Sequence, residues 1–91
     1  MSNKNEIQIT DNIPGAEYSN LAYINHNKEE FQLIFTNVVG ASGKVVSKVI
    51  TSPGHFKRLV NAMNENLKSY EEQFGEVKEA ADIDKEIGFK A

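Results

Sequence analysis

Cysteine is missing from this chain of 91 residues. The protein can therefore form neither disulfides nor thiolate metal sites, and it has no cysteine nucleophile. Small secreted domains usually depend on disulfides, so this absence favours a reducing compartment. The polar start, Met1 to Glu6, has no apolar run behind it and is unlike a signal peptide. No stretch approaches the roughly 20 apolar residues of a membrane span. We expect a cytoplasmic protein that does not enter a membrane.

Acidic residues are missing from one long internal stretch, between Phe31 and Asn64, although the chain has 13 of them and a net charge of −3. From Glu65 onward acids dominate. The middle of the chain is therefore basic and the C-terminal part acidic. Such an asymmetry bears on association and not on fold, and a polarised surface without a partner is the plainer interpretation. The basic side chains of the middle stretch are Lys44, Lys48, His55, Lys57 and Arg58.

The length is enough for one domain with a thin core. We divide the chain into three segments. Residues 1–17 are a polar N-terminal segment in which Ile7 and Ile9 alternate with polar residues and suggest a short strand. Residues 18–77 form a single α+β domain. Residues 78–91 are charged, with few apolar side chains, which is typical of a flexible acidic tail.

Three runs of β-favouring residues predict strands at 18–25, 31–39 and 44–51. Turn-forming clusters, Asn25–Lys28 and Gly40–Gly43, separate them. Because a parallel return would need a long crossover, these short links predict antiparallel hairpins. The fold class is therefore α+β, an antiparallel sheet of three to four strands followed by one long C-terminal amphipathic helix.

Strict alternation along the strands predicts a sheet with apolar residues on both faces. One helix covers only one face, so the second needs a terminus or a partner over it. The face expected under the helix carries Phe31, Leu33, Phe35, Val45 and Val49. The other face is expected to carry Ala22, Ile24, Ile34, Val46 and Ile50.

The helix is predicted from about residue 53 to residue 74. Ser52 suits the N-cap, Pro53 the first helical position and Gly75 the C-terminal cap. Apolar residues recur at alternating spacings of four and three, as in a coiled-coil seam of about three heptads. Periodicity alone does not separate a helix that lies on its own sheet from one that pairs with a second copy. The seam consists of Phe56, Val60, Met63, Leu67, Tyr70 and Phe74.

Catalytic and metal-binding patterns are weak. His26 and His55 lie in separate turns without the ligand spacing of a zinc site. Ser52 precedes His55 closely, yet no orienting acid is near in the chain, and capping explains the serine. The loop Gly40–Lys44 lacks the spacing and the following helix of a phosphate loop and is predicted to be a hairpin turn. We expect no enzyme activity, no metal and no cofactor.

The best candidate ligand site is the helix start. Free N–H groups and the helix dipole attract anions there, and Gly54 permits close approach of a ligand to the backbone. The hypothesis is binding of nucleic acid or of a phosphorylated ligand, and a helix start without a ligand is the alternative. The site would comprise Ser52, Gly54, His55, Lys57 and Arg58, with Lys44 and Lys48 joining from the sheet.

Several segments resemble family 3467 of the domains of unknown function, a family of small prokaryotic proteins. The resemblance covers about residues 18–77. Its most specific part is the Ser-Pro-x-His-x-Lys-Arg-Leu pattern, which this chain matches from Ser52 to Leu59. The family brings no assigned activity, so the resemblance implies domain limits and no catalytic residue. The order of the elements is also similar to the dimeric single-stranded-DNA-binding coactivator fold, an analogy of layout alone.

These observations favour a non-enzymatic homodimer that binds another protein. The helix seam or the second sheet face would form the dimer. The alternative is nucleic-acid or phosphate-ligand binding at residues 52–58, against which the net acidity counts.

Overall fold

The computed structural model describes residues 5–83 and 86–90. It contains four elements in the order β1 (Leu21–His26), β2 (Phe31–Val39), β3 (Ser42–Thr51) and α1 (Pro53–Phe74). The predicted α+β class is confirmed, as a three-stranded antiparallel sheet followed by one helix. Residues 1–4 of the predicted polar segment, and residues 84, 85 and 91 of the predicted tail, lie outside the described residues.

Two hairpins connect the strands in the order β1-β2-β3. In the first loop the Asn27 side-chain oxygen accepts hydrogen bonds from the backbone N–H groups of Glu29 and Glu30, both at 2.8 Å. The second loop is Gly40-Ala41, with a φ of 62° at Gly40 and no positive φ at Ala41. Positive φ at only the first loop residue is the pattern of a type II′ turn, which suits tight hairpins. The hairpin predicted here is therefore confirmed.

The first strand begins at Leu21 and not at Tyr18. Before it, one backbone bond reaches β2, from the Asn20 N–H to the Thr36 carbonyl at 3.1 Å, and side chains make the other contacts. The Asn20 side chain accepts a hydrogen bond from the Val38 N–H and donates one to the Val38 carbonyl, both at 2.8 Å. The Ser19 hydroxyl donates to the Thr36 carbonyl at 3.0 Å. Within residues 5–20 the structure has no strand, so the short strand suggested around Ile7 and Ile9 does not form.

A bulge in β3 changes which residues share a face. Phe35 pairs with Ser47, but Thr36 pairs with Val45, so Val46 is the extra residue. Val45 therefore lies on the face of Thr36 and not, as predicted, with Phe35. The register also corrects β1, because Ala22 pairs with Phe35 and Ile24 with Leu33, on the face opposite to the predicted one. Alternation gave the wrong faces because it fixes neither register nor bulges.

Little of this sheet is buried. Among the described residues, the buried side chains are Leu33, at 3% exposure, and Thr36, at 5%. The Thr36 hydroxyl donates a hydrogen bond to the Leu21 carbonyl at 3.0 Å, which compensates for its burial. The core of the sheet is accordingly the middle of β2.

The helix has the predicted bounds and the predicted cap. Pro53 is its first residue, where a missing N–H costs nothing. Gly75 has a φ of 98°, and its N–H donates to the Glu71 carbonyl at 2.9 Å. Beyond it, the Val77 N–H donates to the Glu71 carboxylate at 2.9 Å. Residues 75–83 and 86–90 form neither helix nor strand.

Candidate interaction surfaces

The apolar seam of α1 is open to solvent. None of the residues of α1, all of which the structure describes, is buried. Exposure along the seam ranges from 40% at Val60 to 66% at Phe74, and Phe56 is half-buried. At the C-terminal end the rings of Tyr70 and Phe74 contact each other, with centroids 4.9 Å apart. The six predicted seam residues thus form a continuous apolar stripe on one helix, exposed from Val60 to Phe74.

Both faces of the sheet also expose apolar side chains. On the face of Thr36, Val45 and Ile50 are exposed. On the face of Leu33, Ile24 and Val49 are exposed. The prediction of a two-sided apolar sheet therefore agrees with the structure, although the residues are distributed differently between the faces.

The basic start of α1 is exposed from Gly54 to Arg58 except at Phe56, and its first turn contains no acid. Arg58 donates hydrogen bonds to the Nδ1 atom of His55 from Nε at 3.2 Å and from Nη2 at 2.8 Å. A guanidinium group only donates, so Nδ1 is the acceptor in both contacts. Two of the five N–H donors of Arg58 therefore face its neighbour. Ser52 lies at the N-cap position and Lys57 is exposed.

The two strand lysines do not form one cluster. Lys44 pairs with Asn37, on the face of Phe35, whereas Lys48 pairs with Ile34, on the opposite face. Without the bulge, residues four apart on one strand would share a face. At most one of the two can therefore join a common site from one face of the sheet.

A shallow cleft of about 190 Å³ opens near the loop between β1 and β2. The rings of His26 and Phe31, which are cross-strand partners, lie 5.2 Å apart beside it. Its lining is mostly polar, unlike the predominantly apolar lining of small-molecule pockets. The lining residues are Asn25, His26, Asn27, Glu30, Gln32 and Ile50.

Within 5–83 and 86–90, no group of three or more histidine, cysteine or acidic side chains could hold a metal ion. In the described part of the chain, no helix combines the length and the apolar character needed to cross a bilayer.

Glu71 was not singled out from the sequence. Its backbone carbonyl and its carboxylate accept the bonds that end the helix, and it is half-buried in doing so. A signal was available, since Glu71 lies four residues before Gly75, the predicted C-terminal cap.

Comparison with known proteins gives one family. The searches of curated proteins and of solved structures found no match. The family model described as "Protein of unknown function (DUF3467)" matches residues 1–79. The match includes the sheet, the helix and also the N-terminal segment, which the resemblance from residue 18 onward left out. The chain belongs to the DUF3467 family of proteins of unknown function.

Proposed function

We propose that the protein is a non-enzymatic homodimer that serves as a protein-interaction module. The observation that carries this proposal is the exposed seam of α1, at least 40% exposed from Val60 to Phe74. Burying a coiled-coil-like apolar stripe against a partner is favourable, because removal of apolar area from water is the main driving force for association. A second copy offers the same stripe and closes a two-fold pair.

The thin core supports the same proposal. A domain of this size buries a small share of its chain surface and gains stability when a partner covers more of it. Leu33 is the buried apolar side chain among the described residues. Pairing through α1 would leave the exposed apolar residues of the sheet, such as Ile50 and Val49, available for a second, different protein.

Sedimentation velocity over a range of concentrations tests the dimer. The wild-type protein is expected to be dimeric at micromolar concentrations. Leu67→Asp places a charge in the centre of the seam and is expected to give a monomer that keeps its helix by circular dichroism. Ser69→Asp is the matched control, because Ser69 is exposed and lies away from the seam.

Two results would contradict the proposal. One is a wild-type protein that stays monomeric throughout the concentration range. The other is a dimer that Leu67→Asp and Ser69→Asp weaken equally, which would locate the interface away from the seam. In the second case the exposed sheet residues become the next surface to mutate.

The remaining parts of the proposal are that the module acts in the cytoplasm and needs no cofactor. The cysteine-free sequence supports a reducing compartment. The sequence places no orienting acid close to Ser52 and His55 in the chain, so binding rather than catalysis is the function proposed.

We propose, as a second function, that the basic start of α1 binds a nucleic-acid backbone or another phosphate ligand. Its support is the exposed first turn without acids, followed by Lys57 and Arg58. Two observations weaken this second proposal. Arg58 already contacts His55, and Lys44 and Lys48 lie on opposite faces of the sheet. Fluorescence anisotropy with labelled DNA and RNA tests it. Affinity that falls steeply with salt would support it, and absence of binding at low salt would end it.

A further inference from the structure

The charges of α1 are arranged against its own dipole. From Pro53 to Met63 the formally charged residues are both basic, so this half carries +2. From Asn64 to Phe74 there are three acids and one lysine, which gives −2. A helix dipole favours acids near the N-terminus and bases near the C-terminus, and α1 has neither in its terminal turns. The charges thus fit a neighbour that runs in the opposite direction better than they fit α1 itself.

From this pattern we propose that α1 pairs with α1 of a second copy in an antiparallel arrangement centred between Met63 and Leu67. The proposal rests on the homodimer proposed above and adds the orientation and the residues that fix it. It gives each basic half an acidic half as neighbour and sets each dipole against the opposite dipole of the partner helix.

The seam residues match this arrangement layer by layer. Reversing the second copy about the midpoint of the seam brings Met63 beside Leu67 of the other copy. Val60 then lies beside Tyr70, and Phe56 beside Phe74. Each layer combines a residue from one half with one from the other, and the exposed aromatic pair Tyr70 and Phe74 meets the first half of the partner stripe. Such self-complementarity is what a two-fold interface requires.

The flanks of the seam select the same orientation. Lys57, Asn64 and Glu71 recur at heptad spacing on one flank. In the antiparallel pair like flanks face each other, so Lys57 lies about 3 Å along the axis from the level of Glu71 of the other copy, twice per dimer. Asn64 lies equally close to the level of its own symmetry mate. In a parallel pair this flank would face the other flank of the partner helix, where Leu59, Asn66 and Gln73 lie, so Lys57 and Glu71 would not meet.

Charge reversal at these two positions tests the orientation, with the dimer dissociation constant from sedimentation equilibrium as the readout. Lys57→Glu and Glu71→Lys are each expected to raise that constant about tenfold, since each creates two repulsive pairs. The double variant is expected to regain dimerisation to within about threefold of wild type, because both pairs are restored in reversed form. Matched controls are Lys68→Glu and Glu72→Lys, which make the same charge changes on other positions of the helix.

Cysteine cross-linking provides a second, independent readout, since the wild-type chain contains no cysteine. Val60→Cys and Tyr70→Cys are prepared as separate proteins, mixed and oxidised. A disulfide between the two variants is expected, and neither variant should cross-link to itself. In the antiparallel pair two copies of residue 60 are displaced along the axis by about 15 Å, at 1.5 Å per residue, which a disulfide does not span.

The outcomes separate the two proposals. A wild-type protein that is monomeric at all concentrations overturns the homodimer itself. A dimer in which the double reversal is no tighter than the single variants, or in which Val60→Cys cross-links to itself, overturns the antiparallel orientation and leaves the homodimer standing. Rescue by the double variant together with the mixed disulfide supports both.

Discussion

Two leucines in different environments allow the contribution of the thin core to stability to be measured. Leu33, in the middle of β2, is 3% exposed, and its cross-strand partners are Ile24 and Val49. Leu67, in the seam of α1, is 48% exposed. Replacing each with alanine removes the same atoms, so the difference in the free energy of unfolding reports the difference in burial.

The expected magnitudes differ several-fold. Removing a buried leucine side chain costs about 2–5 kcal/mol, since it loses the transfer free energy and leaves a cavity. Leu33→Ala should fall in this range. Leu67 is only half covered within its own chain, so Leu67→Ala should cost below about 1 kcal/mol at concentrations where the protein is monomeric. The higher helix propensity of alanine reduces that cost further.

Urea unfolding followed by far-UV circular dichroism, at low and at high protein concentration, measures both values. If the seam forms the dimer, the cost of Leu67→Ala should grow with protein concentration. The wild type gains stability from association at high concentration, and the variant does not. The cost of Leu33→Ala should be large at every concentration. Equal costs for the two variants at low concentration would refute the assignment of the core to β2.

Three smaller predictions concern Gly75, Asn20 and the pair Lys57 and Arg58. Gly75→Ala should lower helix stability by about 1 kcal/mol in thermal melts, and Gly75→Asn by less, because the φ of 98° suits glycine and is better tolerated by asparagine than by alanine. Asn20→Ala should lower the urea midpoint by an amount equivalent to about 1–2 kcal/mol, since both hydrogen bonds to the Val38 backbone are lost. An unchanged midpoint would mean that water replaces the side chain. Replacing Lys57 and Arg58 together with alanine should change the unfolding free energy of the monomer by less than about 0.5 kcal/mol, because both are exposed. The same variant should abolish any salt-dependent nucleic-acid binding in fluorescence anisotropy, and binding that survives would exclude the helix start as the site.

The sequence predicted β2 and α1 with the bounds that the structure has, because each has a strong repeating pattern and clear end signals. Phe31–Val39 is a long β-favouring run between turns, and Pro53–Phe74 has a proline at its start and Gly75 after its end. The start of β1 was predicted too early because Ser19 and Asn20 bond to β2 mainly through their side chains. Propensity does not distinguish such side-chain pairing from a backbone ladder.

The faces on which Lys44 and Lys48 lie could not be predicted from the sequence, and the cause is the bulge. With regular alternation, Lys44 and Lys48 lie on one face and add two charges to one surface. One extra residue at Val46 moves them to opposite faces. No residue type in Lys44–Lys48 signals that insertion, since bulges depend on the fit between two strands and not on one strand alone. A basic patch inferred from spacing within a strand is therefore sensitive to a shift of one residue.

A helical seam is less sensitive than a strand to a local shift of one residue. The seam of α1 is therefore a stronger candidate surface than the basic helix start. The seam residues lie on one continuous hydrogen-bonded element, so their common face follows from helix geometry alone. The stripe residues from Val60 to Phe74 are exposed. The charges on its flank add a direction, since Lys57 and Glu71 complement each other only when the second helix is reversed. Periodicity, exposure and charge thus constrain the same surface, whereas the basic helix start has exposure and charge but no repeating pattern. If charge reversal supported the antiparallel pair and cross-linking did not, the flank charges and the seam alignment would indicate different orientations.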